Sequence, residues 1–171
     1  MKVIFLDFDG VLNSSCYAAR LIKAGKPTQD EKGRELFDPA VIKRFNRIVD
    51  QTEAKVVISS SWRYLGMKTM KDIWQERGLH GQIIGMTSLY AVDEFIIEHG
   101  LEWLTNGIEV GSPRAVEIET WLQEHDCINN YVILDDMPMS AALQPHFVQI
   151  NPILGLLRAQ AEKAVEILST K

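Results

Sequence analysis

The stretch Met1-Lys2-Val3-Ile4-Phe5-Leu6-Asp7-Phe8-Asp9-Gly10-Val11-Leu12-Asn13 decides how the chain is read. Val3–Leu6 is an unbroken apolar run, which suits a strand covered on both faces. If the strand continues, its two-residue period sets Asp7 and Asp9 on the same side. Gly10 then lets the chain turn sharply away without a steric penalty. Carboxylates at the carboxyl end of a parallel strand lie where open α/β sheets bind ligands. Their mutual repulsion raises one pKa unless a cation lies between them, so the pair predicts divalent-metal chemistry. An Asp-x-Asp pair can equally cap a helix or make an Asx turn, so the rest of the chain has to supply the other parts.

Working outward, Val56–Ile58 is a second apolar strand and ends in Ser59-Ser60-Ser61-Trp62-Arg63. Ser112-Pro113-Arg114 opens a helix, and the strand Tyr131–Leu134 stops at Asp135-Asp136. Ile83–Gly85 and Phe147–Ile150 complete the predicted strands. Helical patterns alternate with them. Asp38-Pro39 is an N-cap with proline at the first helical position, followed by an apolar face of Val41, Ile42, Phe45, Ile48 and Val49. Met67, Met70 and Trp74 mark a helix closed by Gly78. Ala115, Ile118, Trp121 and Leu122 face inward from the helix after Ser112, and Leu157, Ala161, Ala164, Val165 and Leu168 from the last one. Alternating strands and helices predict an α/β fold, a three-layer Rossmann-like parallel sheet with helices on both faces.

Length and composition bound the answer. At 171 residues, 46% hydrophobic and 24% charged, the chain is expected to be one ordinary globular domain, residues 1–171. The net charge of −5 offers no general attraction to nucleic acid or to an anionic membrane. Cys16 and Cys127 have no metal-type spacing and make no disulfide framework, so the expectation is a cytoplasmic protein. No apolar run approaches a membrane span, and Asp7 and Asp9 interrupt any signal-peptide pattern. His80, His99, His125 and His146 show no ligand spacing.

The ordered set of Asp-x-Asp, serine cluster, basic residue at a helix start and Asp-Asp resembles the haloacid dehalogenase-like (HAD) superfamily, whose commonest activity is phosphate-ester hydrolysis. The resemblance spans most of the chain. It implies Asp7 as the nucleophile that forms an aspartyl-phosphate and Asp9 as the general acid/base. It implies Asp135 as a Mg2+ ligand, with Asp136 beside it as a second ligand or a group just behind the ligands. Asp7 and Asp9 complete the implied metal set, Asp9 through its backbone carbonyl. Ser59 and Ser60 both fit the hydroxyl that holds the phosphoryl group. The family's basic residue is most often Lys, whereas this sequence offers Arg114, whose guanidinium also pairs with carboxylate and phosphate oxygens. Gly10 and Arg63 are candidate substrate contacts, Arg63 with a structural salt bridge as its other reading.

Such chemistry needs these residue types. A phosphoryl group in transfer carries negative charge on its equatorial oxygens, so positioning and neutralisation are the main tasks. A carboxylate nucleophile repels a phosphate dianion, and Mg2+ with oxygen ligands relieves that repulsion. Two displacements require an acid in one step and a base in the next.

Family caps follow the first or third strand. Here they reduce to small insertions at about 14–37 and 88–111, neither long enough for an independent domain, so a fairly open site is expected. Residues 20–47 carry eight Lys or Arg against four acids, while 88–111 carry five acids and no Lys or Arg. The basic segment reads as a solvated face or as attraction for a phosphorylated polymer or nucleotide. Trp62 and Tyr64 read as core or rim packing, or as a base-stacking pair. The run Ser59-Ser60-Ser61-Trp62-Arg63, the Arg114 helix and Asn151-Pro152…Gly155-Leu156 resemble the small phosphatase-like domain attached to RNA-repair proteins of the "Swiss army knife" type. That resemblance implies work on nucleic-acid ends. The expected partners are therefore a phosphorylated small molecule or nucleotide, or nucleic-acid ends, and no membrane. The alternative is a catalytically idle phosphate-binding or regulatory module on the same fold. An intact Asp7, Asp9 and Asp135 set argues against it. A receiver-like domain would carry its acceptor Asp on a middle strand, and a dehalogenase needs no acid at Asp9.

Overall fold

A computed structural model describes residues 1–100 and 112–170. Five parallel strands form its sheet in the order β3-β2-β1-β4-β5. They are β1 (Lys2–Leu6), β2 (Lys55–Ile58), β3 (Ile83–Met86), β4 (Asn130–Asp135) and β5 (Phe147–Gln149). Each predicted apolar run became a strand, with ends moved by a residue or so. The helices are α1 (Ser15–Lys23), α2 (Pro39–Thr52), α3 (Gly66–Glu76), α4 (Ala91–His99), α5 (Pro113–Gln123) and α6 (Arg158–Ser169).

Alternation along the strands builds two cores. Ile4, Leu6, Val56, Ile58, Val132 and Leu134 face one side, where Phe45, Met70, Ile73, Ala161, Ala164 and Leu168 of α2, α3 and α6 cover them. Val3, Phe5, Val57 and Ile133 face the other, against Ala115, Ile118 and Trp121 of α5 and the 3-10 turn Ala141–His146. Helix α4 packs on α5. This is the three-layer α/β arrangement expected from the sequence. Leu157, expected within the last helix, is instead its N-cap.

Strand order fixes where ligands bind. From β1 the chain builds outward through β2 to β3, then returns to the far side of β1 for β4 and β5. That reversal opens a crevice beyond the carboxyl ends of β1 and β4, the place where open α/β sheets take their ligands. The pairing Leu6↔Leu134 continues into Asp7 N–H donating to Leu134 O at 3.0 Å. Asp7 and Asp135 therefore leave the sheet side by side.

Two local devices shape the crevice. Gly10 turns the chain at φ +74°, and a Cβ there would sit 2.7 Å from Pro152 Cβ and 2.9 Å from Asp136 Oδ2. Only glycine meets both demands. The insertion after β1 is helix α1, capped by Ser14, and a short antiparallel bridge of Gln29 with Glu35. Ion pairs fasten that bridge to α3 and the turn after it: Arg34 to Asp30 and Glu76, Lys32 to Glu76, Arg77 to Asp30. Of the second insertion, residues 101–111, including Trp103, lie outside the described residues.

Candidate active site

Asp7, Asp135 and Asp136 bring carboxylate oxygens within 4.8 Å of one another. Asp7 and Asp135 are buried and Asp136 is half-buried. Phe8 N–H donates to Asp7 Oδ1 at 2.7 Å, and Met137 N–H to Asp135 Oδ1 at 2.9 Å. Asp135 Oδ2 is fully buried and has no hydrogen-bond donor. Burial raises all three pKa values. Proximity to Asp7 adds to the rise at Asp135, while Arg114 and the Ser60 hydroxyl pull Asp7 back. A buried orphan oxygen among crowded oxygen ligands suits a hard divalent cation, which would remove the repulsion. The trio thus fits the metal that the sequence implies. Asp9, also expected in the metal set, keeps its side chain outside the trio.

Arg114 enters from the first turn of α5 and is 8% exposed. Ser112 and Pro113 start that helix, so the third residue projects over the strand ends. The Arg114 guanidinium lies 3.2 Å from Asp135 Oδ2, 3.9 Å from Asp7 Oδ1 and 3.0 Å from Glu117 Oε2. The first of these approaches is too misaligned to be a hydrogen bond. Glu117 also receives Arg63 Nη2 at 2.5 Å. Arg63 is 5% exposed, and its Nη1 donates to Ser60 O at 2.9 Å. Of the two readings of Arg63, the salt bridge is therefore realised here, and its guanidinium braces the Ser60 turn.

The serines differ. Ser59 continues the β1–β2 pairing, its N–H donating to Leu6 O at 3.0 Å, and its Oγ is buried with no partner. Ser60 caps the 3-10 turn Ser61–Leu65, and its hydroxyl reaches Asp7.

Asp9 hangs at the rim of a cleft of about 600 Å³ whose lining includes Asn13, Glu35, Trp62, Tyr64, Asp136 and Pro152. Its carboxylate accepts from Trp62 Nε1 at 3.0 Å on both oxygens and from Ser61 Oγ at 3.3 Å. Asn13 Nδ2 donates to it at 2.9 Å and to Glu35 Oε2 at 2.8 Å, while Asn13 Oδ1 accepts from Gly10 N–H at 2.8 Å. Asn13, Glu35 and Glu117 were not singled out by sequence. Glu117 stands three residues after Arg114, a helical pair spacing that could have revealed it. Asn13 and Glu35 carry no such local signal.

No described histidine belongs to a group of three or more ligand-type side chains. His80 meets Asp50, His125 stacks on Trp121 and His146 on Tyr131. No helix among the described residues is long and apolar enough to cross a membrane. A family model described as the HAD domain in Swiss Army Knife RNA repair proteins matches residues 3–161. No curated protein and no solved structure gives a significant match to the chain.

Proposed function

Because the chain belongs to the HAD domain family of Swiss Army Knife RNA repair proteins, we propose that it is a Mg2+-dependent phosphate-monoester hydrolase that works through an aspartyl-phosphate on Asp7. Nucleotides or nucleic-acid ends are its proposed substrates, and residues 1–171 act as one catalytic domain. The observation that carries this reading is the meeting of Asp7, Asp135 and Asp136 beside Arg114 at the sheet's reversal point.

Asp7, Asp135 and Asp136 would hold the cation, whose charge offsets repulsion between a carboxylate nucleophile and a phosphate dianion. An Asp7 oxygen attacks phosphorus and forms the new P–O bond. The bond to the leaving oxygen breaks, and Asp9 gives that oxygen its proton. A water then attacks the phosphorus of the aspartyl-phosphate and yields its proton to Asp9. Inorganic phosphate leaves and Asp7 is restored. Ser60 is assigned to hold the phosphoryl oxygens, since its hydroxyl is the one that reaches Asp7. Arg114 supplies positive charge beside the transferring group. Arg63 is assigned to positioning, through Glu117 and the Ser60 carbonyl.

An idle phosphate-binding module would have no use for a second acid, Asp9, held by three side-chain donors just after the nucleophile. The test is phosphate release from aryl and alkyl phosphates with and without Mg2+, in wild type and Asp7→Asn. Release that needs Mg2+ and vanishes in folded Asp7→Asn is expected. Full turnover in excess EDTA, or within tenfold of wild type in Asp7→Asn, would discard the mechanism.

A further inference from the structure

Trp62 stands on the 3-10 turn after β2, and its half-buried ring packs against two phenylalanines. Phe8 meets it edge-on at 5.7 Å between centroids, and Phe37 lies tilted against it at 5.6 Å. Both phenylalanines are buried, at 0% and 3% exposure. A packed indole has one polar atom to satisfy, and a carbonyl close in sequence can do so. Trp74 does just that, donating to Gly81 O at 3.2 Å. Trp62 instead sends its N–H across the cleft mouth to a side chain 53 residues away, forked between both oxygens of Asp9 at 3.0 Å.

We propose that Trp62 is a positioning residue for proton transfer by Asp9, holding the carboxyl group at the place of the leaving oxygen. The inference rests on the hydrolase reading above. Asp9 opens the turn that Gly10 enforces, and no helix or strand holds it. Its orientation is therefore set by side-chain donors. Trp62 is the bulkiest of them, and its ring packs against two core phenylalanines that also meet each other at 5.2 Å. Asn13 also donates to Asp9 Oδ1, at 2.9 Å, and is itself pinned by the Gly10 N–H. Ser61 makes a longer contact, at 3.3 Å. Loss of the indole N–H would let the carboxyl swing within the cleft. A displacement of about 1 Å is enough to cost on the order of a hundredfold in a positioned reaction.

Leaving-group chemistry separates this role from a merely structural one. When the P–O bond of an alkyl phosphate breaks, an alkoxide must receive the Asp9 proton as Asp7 bonds to phosphorus. A nitrophenolate leaves as a stable anion and needs no proton. The ratio of kcat/KM, which reports the steps through first bond cleavage, should therefore change between the two substrate classes.

The experiment measures kcat/KM for glycerol 1-phosphate and p-nitrophenyl phosphate in wild type, Trp62→Phe and a protein carrying 3-benzothienylalanine at position 62. The last is close to tryptophan in shape but has sulfur in place of the N–H. It keeps the test decisive if Trp62→Phe folds poorly. In either variant the alkyl phosphate should lose about 10- to 100-fold, against about threefold or less for the aryl phosphate. Equal losses on both substrates, or no loss with the benzothienyl isostere, would overturn the positioning role while leaving the hydrolase reading intact. No wild-type turnover of either phosphate with Mg2+ present would overturn both.

Discussion

Replacing Arg114 by Ala should weaken the fold more in the absence of metal than in its presence. The guanidinium lies 3.2 Å from Asp135 Oδ2 and 3.9 Å from Asp7 Oδ1. At an effective dielectric of about 20 those separations correspond to ~5 and ~4 kcal/mol of attraction. Much of that gross attraction is offset, because the guanidinium itself was stripped of water on burial. Glu117 is not orphaned, since Arg63 still pairs with it. Removing one partner of a buried ion pair costs about 3–5 kcal/mol net, and that range applies to Arg114→Ala in EDTA. For a chain of this length the loss corresponds to a melting temperature lower by about 10 °C. Mg2+ should restore more than half of the difference, because a cation among the three carboxylates replaces part of the missing charge. Arg114→Lys should fall between the two proteins. The assay is thermal unfolding followed by circular dichroism at about pH 9, where Asp135, pushed up to about 8, carries its charge, with EDTA and then with saturating Mg2+. Equal melting temperatures in EDTA would refute the electrostatic account. An identical Mg2+ increment in wild type and Arg114→Ala would show that arginine and metal do not share the same charge cluster.

The pH dependence of metal-free stability should run downhill from acid to neutral. Asp7, Asp135 and Asp136 have raised pKa values in the fold, so their contribution is complete below the ordinary carboxylate range and is lost as pH rises through the raised values. Urea unfolding in EDTA should therefore give lower stability at about pH 8 than at about pH 5, and Mg2+ should flatten the slope; a metal-free curve that rises with pH would contradict this. Gly10→Ala should cost more than about 1 kcal/mol, since φ is +74° and the new methyl meets Pro152 and Asp136. It should also weaken Mg2+ binding by displacing Asp136, and calorimetry showing unchanged affinity would reject that link. Asp135→Ala should lose more Mg2+ affinity than Asp9→Ala, because the Asp9 side chain stands outside the trio; the reverse order would reassign the ligands.

The strands were legible because buried parallel strands read as unbroken apolar runs, and Val3–Leu6, Val56–Ile58 and Tyr131–Leu134 have no polar interruption. Asp7, Asp135 and Asp136 could be found because each sits at the last residues of such a run, where the run itself gives the address. What surrounds Asp9 could not. Trp62 reaches it across 53 residues, and Glu35 reaches Asn13 across 22. No local period encodes either contact. Trp62 read as core or rim packing, or a stacking surface, because its ring dominates its chemistry, whereas here the indole N–H makes the contact at the site. Arg63 and Arg114 converge on Glu117, a carboxylate that helical periodicity files among polar surface positions but that is 8% exposed.

The ion pairs that fasten residues 30–34 to α3 and its following turn give one wall of the cleft a mechanical character unlike the rest of the molecule. Asp30 is held well below the usual carboxylate range, to about 2, because backbone N–H groups and Arg34 outweigh its desolvation. The clasp therefore keeps its charge throughout any physiological acidification. Its weak point is electrolyte, since Lys32 and Glu76 are open to solvent and an exposed pair weakens as salt rises. The sheet beneath is joined by apolar packing that salt does not loosen. Concentrated electrolyte should thus loosen the Glu35 wall while the sheet and helices behind it stay packed, making cleft width an ionic variable separable from folding.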